Sequence, residues 1–156
     1  LDYEVELVVL VGKYGAMVPQ EKALEFVSGL GVGIDFTRRD IQRKLRDKNQ
    51  PWELSKAFEQ SAPVGPFISP EKISSSILPL ELNISLSVNG KIKQQANTRD
   101  MIFSVSEIIS DLSAFFTLLP GDLVFTGTPQ GVGPVFPGDV LEARIDELPC
   151  LTVAIQ

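Results

Sequence analysis

The β-rich character of this chain is set by residues 82–96, LNISLSVNGKIKQQA. From Leu82 to Val88, aliphatic residues alternate with polar ones, which is the pattern of a strand with one buried face. Asn89-Gly90 is a strong signal for a type I′ turn, because both residues tolerate a positive φ. We therefore expect an antiparallel hairpin in which residues 91–96 form the returning strand.

Further strand signals lie on both sides of this hairpin. Residues 3–11, YEVELVVLV, form a β pattern, and residues 31–36 form a shorter one. In the last third of the chain, Pro-Gly-Asp turns at residues 120–122 and 137–139 each lead into an apolar run. We expect a strand after each turn.

Three helices are also predicted. Residues 19–30 carry apolar side chains at helical spacing, with Pro19 suited to the first turn. Thr37 with Asp40 resembles a capping box that opens a helix to about residue 49, and Ser104 with Glu107 resembles a second one. The four prolines within residues 51–70 predict an irregular loop instead.

The order of these elements points to one fold class. Strands outnumber helices and do not alternate strictly with them, which favours a β-rich α+β fold over a doubly wound sheet. The 156 residues suit a single domain spanning residues 1–156. Because the chain opens without Met directly in a β pattern, we expect a further segment to precede Leu1.

Composition removes several classes of function. The 20 acidic and 14 basic residues give a net charge of −6, which does not suit a nucleic acid or an anionic membrane as partner. The chain has no histidine, so Ser-His, Cys-His and His-metal arrangements are excluded within it. The single cysteine, Cys150, is expected to be a buried core thiol. No apolar run or signal peptide is recognisable, so we expect a soluble protein in the cytoplasm, with a mitochondrial location as the alternative.

Acidic residues at two places could form a metal site. Glu4 and Glu6 share one face of the first strand, although an exposed face with solvated glutamates explains them equally well. Asp35 lies where a strand meets a helix, and Arg39 and Gln42 follow on one helix face. The alternative is a surface helix start with a capping aspartate and a salt bridge. If the three carboxylates meet, their oxygen atoms suit Mg²⁺ or Mn²⁺ rather than zinc.

A glycine-rich loop is a candidate anion site. Residues 127–134, GTPQGVGP, follow a predicted strand, and glycines let backbone N–H groups approach an anion closely. The loop lacks the ending of a nucleotide-binding P-loop, so a carboxylate is the better candidate ligand. A tight connection between two strands would account for the same residues.

Taken in order, these motifs resemble the fumarylacetoacetate hydrolase family of metal-dependent enzymes acting on 2-oxo and 1,3-diketo acids. The resemblance covers nearly the whole chain. It rests on short motifs spread along the chain: Glu4-Val5-Glu6, DFTRRDIQ at residues 35–42, Pro51-Trp52 with Lys56 and Phe58, APVGP at residues 62–66, Val88-Asn89-Gly90, and residues 120–134 with their TGTPQGVGP ending.

The resemblance implies a fold and a set of site residues. The fold would be the mixed β-sandwich roll of the family's C-terminal domain, usually dimeric. Glu4, Glu6 and Asp35 would bind Mg²⁺ or Mn²⁺. Arg39, Gln42 and Lys56 would line the pocket as catalytic residues, with Arg39 and Gln42 also contacting substrate. Thr128 and Gly127 would hold the substrate carboxylate.

The implied reaction is metal-dependent cleavage of a carbon–carbon bond through an enolate, either hydrolysis of an acylpyruvate or decarboxylation of oxaloacetate. The alternative within the family is an isomerase, hydratase or decarboxylase of aromatic-acid breakdown. An alternative of another class is a non-catalytic metal-containing β-domain. Enzymes of the family place a water-activating His–Glu pair on an N-terminal lid, which would lie before Leu1.

Overall fold

Three antiparallel sheets form the framework of the chain in a computed structural model, which describes residues 1–73 and 81–156. The strands are β1 (Asp2–Tyr3), β2 (Val5–Val11), β3 (Val27–Ile34), β4 (Asn83–Val88), β5 (Lys91–Asn97), β6 (Leu123–Phe125), β7 (Gly133–Pro134), β8 (Val140–Ile145) and β9 (Leu151–Ala154). The helices are α1 (Arg39–Asp47), α2 (Glu53–Lys56) and α3 (Val105–Phe115), with 3₁₀ helices at Gln20–Phe26, Pro70–Lys72 and Thr98–Asp100. The prediction of a β-rich α+β fold is confirmed.

The first sheet carries the acidic residues into the interior. Its strand order is β3-β2-β6, and a second sheet has the order β5-β4-β8-β9, while β1 pairs with β7. β2 contacts β4 and β3 contacts β8, so the two larger sheets pack on each other. Because β2 is central in its sheet and nearly all its residues are buried, both faces of the strand lie in the core. The start of β2 is therefore not at a solvent-exposed edge of the sheet.

The hairpin prediction is confirmed. Asn89 and Gly90 have φ values of 51° and 75°, as a type I′ turn requires, and Val88 pairs with Lys91. The register then shifts, because Ser87 pairs with Ile92 whereas Leu86 pairs with Gln94. Lys93 is thus the extra residue of a β-bulge.

The predicted helix over residues 19–30 is wrong in its second half. A 3₁₀ helix ends at Phe26, and β3 then runs to Ile34 with Leu30 paired to Val9 of β2. Alternate glycines in β3 explain the outcome, since a Cβ on Gly31 would lie 2.9 Å from the Phe67 ring. Because the glycines leave one face of β3 without side chains, the Phe67 ring can pack against that face. The residues of this segment therefore alternate with a period of two, as in a strand, rather than with the helical period of 3.6.

The capping box at Thr37 is also wrong, although the helix it was thought to open is present. α1 begins at Arg39, and its N-cap, Arg38, makes no side-chain cap hydrogen bond. Thr37 is instead paired through its backbone with Asp2 and is completely buried. The backbone bridge holds the threonine away from the capping position.

The remaining predictions have mixed outcomes. Ser104 and Glu107 form the expected capping box of α3, and strands β6 and β8 follow the two Pro-Gly-Asp turns. The loop over residues 51–70 contains the single helical turn α2, which the prolines had argued against. Cys150 is exposed rather than buried. Across the residues that the structure describes, no helix combines the length and apolarity needed to cross a membrane.

Candidate metal and substrate site

Three carboxylates meet where β2 and β3 pair. Glu4 lies just before β2, Glu6 lies within it, and Asp35 follows β3 directly. The backbone N–H of Asp35 donates to the carbonyl of Glu4 at 2.8 Å, which holds the two residues side by side. One oxygen from each carboxylate lies within 4.8 Å of the other two. We call Glu4, Glu6 and Asp35 the acidic cluster.

The acidic cluster is removed from solvent. The exposed fractions of Glu4 and Glu6 are 8% and 4%, and Asp35 is half-buried. The alternative of a solvated strand face is therefore wrong for the two glutamates. Burying like charges together is costly unless cations or protons compensate them.

Two cations compensate part of this charge. Lys56, the last residue of α2, donates from Nζ to Glu4 Oε2 at 2.7 Å and also to Asp35 Oδ2. Arg39, the first residue of α1, donates from Nη2 to Glu4 Oε1 at 2.6 Å. A hydrogen bond of 3.0 Å from the Arg38 N–H to the carbonyl of Ser55 joins the start of α1 to the end of α2. Both helices thus deliver a cation to Glu4.

Arg39 has two further partners. Its Nε donates to Asp2 Oδ2 at 2.8 Å and its Nη1 donates to Gln42 Oε1 at 2.6 Å. The predicted pair Arg39 and Gln42 is thus in contact, one helical turn apart. Asp2 was not among the predicted site residues, although strand alternation would have grouped it with Glu4 and Glu6.

Electrostatics distinguish the members of the cluster. Burial would raise the pKa of Glu4, but hydrogen bonds from Lys56 and Arg39 bring that pKa below its ordinary value. Burial raises the pKa of Asp35 in spite of the hydrogen bond from Lys56. Burial, with Asp35 and Glu4 nearby, raises the pKa of Glu6 to about 7. Within the described residues, Glu6 makes no ion pair, and its Oε2 accepts from the backbone N–H of Gly127 at 2.7 Å.

The charge balance fits a divalent cation. In the described residues, four neighbouring carboxylates, those of Asp2 and the acidic cluster, face only two cations, those of Arg39 and Lys56. When all four are ionised, the excess of two negative charges matches one ion of charge +2. All three donors of the acidic cluster are oxygen atoms, which suit a hard cation.

The glycine loop, residues 127–134, borders the acidic cluster at Glu6. Gly127 has a φ of 100°, and its N–H points at the Glu6 carboxylate. The N–H approach expected of this loop is thus made to a carboxylate of the protein itself. The loop follows Thr126, whose hydroxyl donates to the carbonyl of Leu7 at 2.9 Å.

Thr128 is linked to a residue that the sequence did not indicate. Its Oγ1 accepts from Gln94 Nε2 at 2.8 Å, and the same nitrogen donates to the carbonyl of Pro129 at 2.9 Å. Hydrogen bonds and ion pairs thus join Glu4, Asp35, Arg39, Gln42 and Lys56 in one network. Glu6, which is bonded to Gly127, lies beside that network, with a carboxylate oxygen within 4.8 Å of those of Glu4 and Asp35. Thr128 follows Gly127 in the chain and has Gln94 as its side-chain partner.

Comparison with known proteins gives a consistent result. The family model described as fumarylacetoacetate (FAA) hydrolase C-terminal matches residues 1–156. Mouse "Oxaloacetate tautomerase FAHD1, mitochondrial" is 45% identical over 146 residues, which are 94% of this chain and 65% of that protein. "Maleylpyruvate hydrolase" of Aquipseudomonas alcaligenes is 41% identical over 99% of this chain and 50% of its own.

A solved structure of a related hydrolase is also similar to this chain. Fumarylpyruvate hydrolase from Pseudomonas aeruginosa, in complex with Mn²⁺ and pyruvate, superposes with a TM-score of 0.94 at 46% identity, over 99% of this chain and 65% of that one. The chain therefore spans less than two thirds of the length of these relatives.

Proposed function

The chain belongs to the fumarylacetoacetate hydrolase family, and we propose that residues 1–156 form the catalytic domain of an enzyme that cleaves a carbon–carbon bond in a 2-oxo or 1,3-diketo acid. One observation carries the proposal. The acidic cluster, which together with Asp2 carries a formal excess of two negative charges over Arg39 and Lys56, lies beside Lys56 on one side and the glycine loop on the other. The site can thus receive a divalent cation, a developing enolate and a carboxylate together.

Glu4, Glu6 and Asp35 would hold Mg²⁺ or Mn²⁺. The Pseudomonas aeruginosa structure, solved with Mn²⁺ and pyruvate, supports both the metal class and the ligand class. When bound, the ion would supply Lewis acidity to the 2-oxo group of a substrate.

Lys56 would stabilise the negative charge that develops on the substrate oxygen when the bond breaks. Two of its three N–H donors are directed to Glu4 and Asp35, so the ammonium group is held in one orientation. These hydrogen bonds also raise the pKa of Lys56, against the effect of burial, so the group is cationic at neutral pH. A fixed cation needs little reorganisation during the reaction.

The other polar groups would orient the substrate. Arg39 spends three N–H donors on Asp2, Glu4 and Gln42, so its guanidinium group is fixed beside the cluster and its remaining N–H groups can face a substrate. Thr128 would bind the substrate carboxylate through its hydroxyl, whereas the N–H of Gly127, which was expected to do the same, is bonded to Glu6 and would hold the loop beside the acidic cluster.

Tautomerisation of oxaloacetate is a second candidate reaction. It is favoured by the mouse relative, which is 45% identical and is named an oxaloacetate tautomerase. Tautomerisation and carbon–carbon cleavage both pass through the enolate of a 2-oxo acid, so the same cation at Lys56 serves either reaction. A family member named 5-carboxymethyl-2-hydroxymuconate delta-isomerase is 31% identical, so an isomerase remains the alternative within the family.

We also propose a homodimer. Large apolar side chains are exposed around the end of α3, among them Phe115 at 77% and Phe116 at 65%. The backbone of Leu118 pairs there with Gly15, whose neighbours Tyr14 and Met17 are exposed as well. Clustered exposed apolar residues are typical of an interface. The His–Glu pair of an N-terminal lid, and a cytoplasmic or mitochondrial location, stay predictions.

The test is a substrate panel on the full-length protein with Mg²⁺ or Mn²⁺. Acylpyruvate hydrolysis releases pyruvate and a second acid, decarboxylation converts oxaloacetate to pyruvate, and tautomerisation changes the enol absorbance of oxaloacetate without releasing pyruvate. Binding of oxalate, which resembles a pyruvate enolate, is measured beside these assays. We expect metal-dependent activity that is lost in Asp35→Asn. Metal binding with no turnover and no oxalate binding would support the non-catalytic β-domain instead.

A further inference from the structure

Gln94 is a buried amide on the core side of β5. Its exposed fraction is 1%, and it lies opposite Leu86 of β4 in a register whose buried partners are apolar. A buried amide without partners is costly, so a glutamine in this position needs an explanation. The explanation lies in three hydrogen bonds that reach two distant segments of the chain.

The partners of Gln94 fix the orientation of its amide. The backbone N–H of Val5 can only donate, and it donates to Gln94 Oε1 at 3.0 Å. The carbonyl of Pro129 can only accept, and it accepts from Gln94 Nε2 at 2.9 Å. A flipped amide would break both bonds, so Nε2 must face Thr128.

This orientation determines what the Thr128 hydroxyl can do. Because Thr128 Oγ1 accepts from Gln94 Nε2 at 2.8 Å, one lone pair of the hydroxyl is occupied and its own hydrogen remains available to donate elsewhere. A hydroxyl in this state is a donor suited to a carboxylate.

The bulge in β5 and the glycine loop keep these groups in contact. Lys93, the extra residue of the bulge, turns its carbonyl to Gly131, where an added Cβ would lie only 2.3 Å from that oxygen. The loop therefore lies directly on β5 at Lys93 and Gln94. On its other side, Gln94 bonds to Val5, the residue between the two glutamates of the acidic cluster.

We propose that Gln94 is a positioning residue that makes the Thr128 hydroxyl a hydrogen-bond donor to the substrate carboxylate and fixes the glycine loop relative to the metal-binding strand. This role rests on the proposed function, because it presumes that Thr128 binds a carboxylate. A glutamine that only fills the core would affect stability without acting through Thr128.

A double-mutant cycle in the full-length protein tests the role. The variants are Gln94→Met, Thr128→Val and the double variant, with Gln95→Met as the matched control, because Gln95 is the exposed neighbour on the same strand. Calorimetry measures Mn²⁺ affinity and then oxalate affinity in the presence of Mn²⁺. Urea unfolding separates a loss of stability from a loss of binding.

We expect Gln94→Met and Thr128→Val each to weaken oxalate binding about tenfold, the usual effect of one hydrogen bond to a charged group. Their Mn²⁺ affinity should stay within about threefold of wild type. The double variant should be no weaker than Thr128→Val, since Gln94 acts through that hydroxyl. Gln95→Met should resemble wild type. If Gln94→Met does not fold, Gln94→Glu keeps the size and the acceptor for Val5. At a pH high enough to ionise this buried carboxyl, the carboxylate can only accept and should weaken oxalate binding by a similar factor.

The outcomes separate the two proposals. A wild-type protein that binds Mn²⁺ but not oxalate would overturn the proposed function together with this role. A wild-type protein that binds oxalate, with Gln94→Met binding it equally well or with additive losses in the double variant, would overturn only the role of Gln94.

Discussion

The acidic cluster and the glycine loop meet at Glu6, yet different interactions hold them in place. Around the acidic cluster the contacts are ion pairs, in which Lys56 and Arg39 each bond to two carboxylates. Around the glycine loop the contacts to Thr128 and Pro129 are neutral hydrogen bonds from Gln94. The geometry of the cluster therefore depends on its charge balance, whereas the Gln94 contacts that hold the loop at Thr128 and Pro129 involve no charge. Metal binding and carboxylate binding should be separable by mutation.

The largest effect is expected at Lys56, the cation that bridges Glu4 and Asp35. Lys56→Met should lower kcat by about 10²–10³, the usual loss for one group that stabilises transition-state charge. Metal affinity should not fall, because the variant removes a positive charge that competes with the ion. Steady-state kinetics and calorimetry on one preparation measure both quantities. A kcat within twofold of wild type would return Lys56 to an ordinary ion-pairing role.

At Glu6, in contrast to Lys56, metal affinity is the quantity that should fall. Glu6→Gln keeps an oxygen to accept the Gly127 N–H but removes a charge from the acidic cluster, so Mn²⁺ affinity should fall about 10²-fold or more, above the usual loss for an outer partner of a metal ligand. Asp35→Asn is the companion variant and should behave in the same way. Unchanged Mn²⁺ affinity in both variants would contradict the proposed metal site at the acidic cluster.

The stability of Glu6→Gln without metal provides its internal control. The pKa of Glu6 is raised to about 7, so the folded protein favours the protonated carboxyl. The contribution of that protonated carboxyl to the free energy of unfolding is therefore lost as the pH rises from the ordinary pKa of glutamate to about 7. At pH 8 with a chelator, the neutral glutamine should therefore melt no lower than wild type. A lower melting temperature would show that Glu6 stabilises the fold as an anion.

The ease of prediction differed between the two regions for a physical reason. Glu4 and Glu6 are two residues apart in a strand, so a local pattern places them together, and the same pattern extends to Asp2. Asp35 reaches the site because β3 pairs with β2, and Lys56 reaches it because α2 ends there. The resemblance to the family anticipated both positions, whereas periodicity did not. Gln94 gave no signal, because the bulge at Lys93 breaks the alternation and leaves Ile92 63% exposed on a strand whose Gln94 is buried.

Gly131→Ala tests the loop side of the comparison. Gly131 has a φ of 100°, and an added Cβ would lie 2.3 Å from the backbone carbonyl of Lys93. We expect a stability loss of about 2–3 kcal/mol from strain and clash together, with weaker oxalate binding and near-normal Mn²⁺ affinity. Gly138→Ala is the matched control, because its φ is 93° but its Cβ would meet nothing within 4 Å. It should lose only about 1–2 kcal/mol, and equal losses at both glycines would mean that the loop does not press on β5.

The smallest effect is expected in α3, where a variant touches neither the acidic cluster nor the glycine loop. Ser104 accepts from the Glu107 N–H, and the Glu107 carboxylate accepts from the Ser104 N–H at 2.7 Å. Ser104→Ala should therefore lower the free energy of unfolding by about 1 kcal/mol, while Glu107→Gln, which can keep the reciprocal bond, should lose less. Urea unfolding measures both. Because each variant loosens the fold without altering a charge or a hydrogen bond of the site, Mn²⁺ and oxalate affinities should equal those of wild type. If Ser104→Ala weakened Mn²⁺ as Glu6→Gln does, loss of metal binding would follow general stability, and the effects at Glu6 and Gly131 could no longer be assigned to two separately held sides of one site.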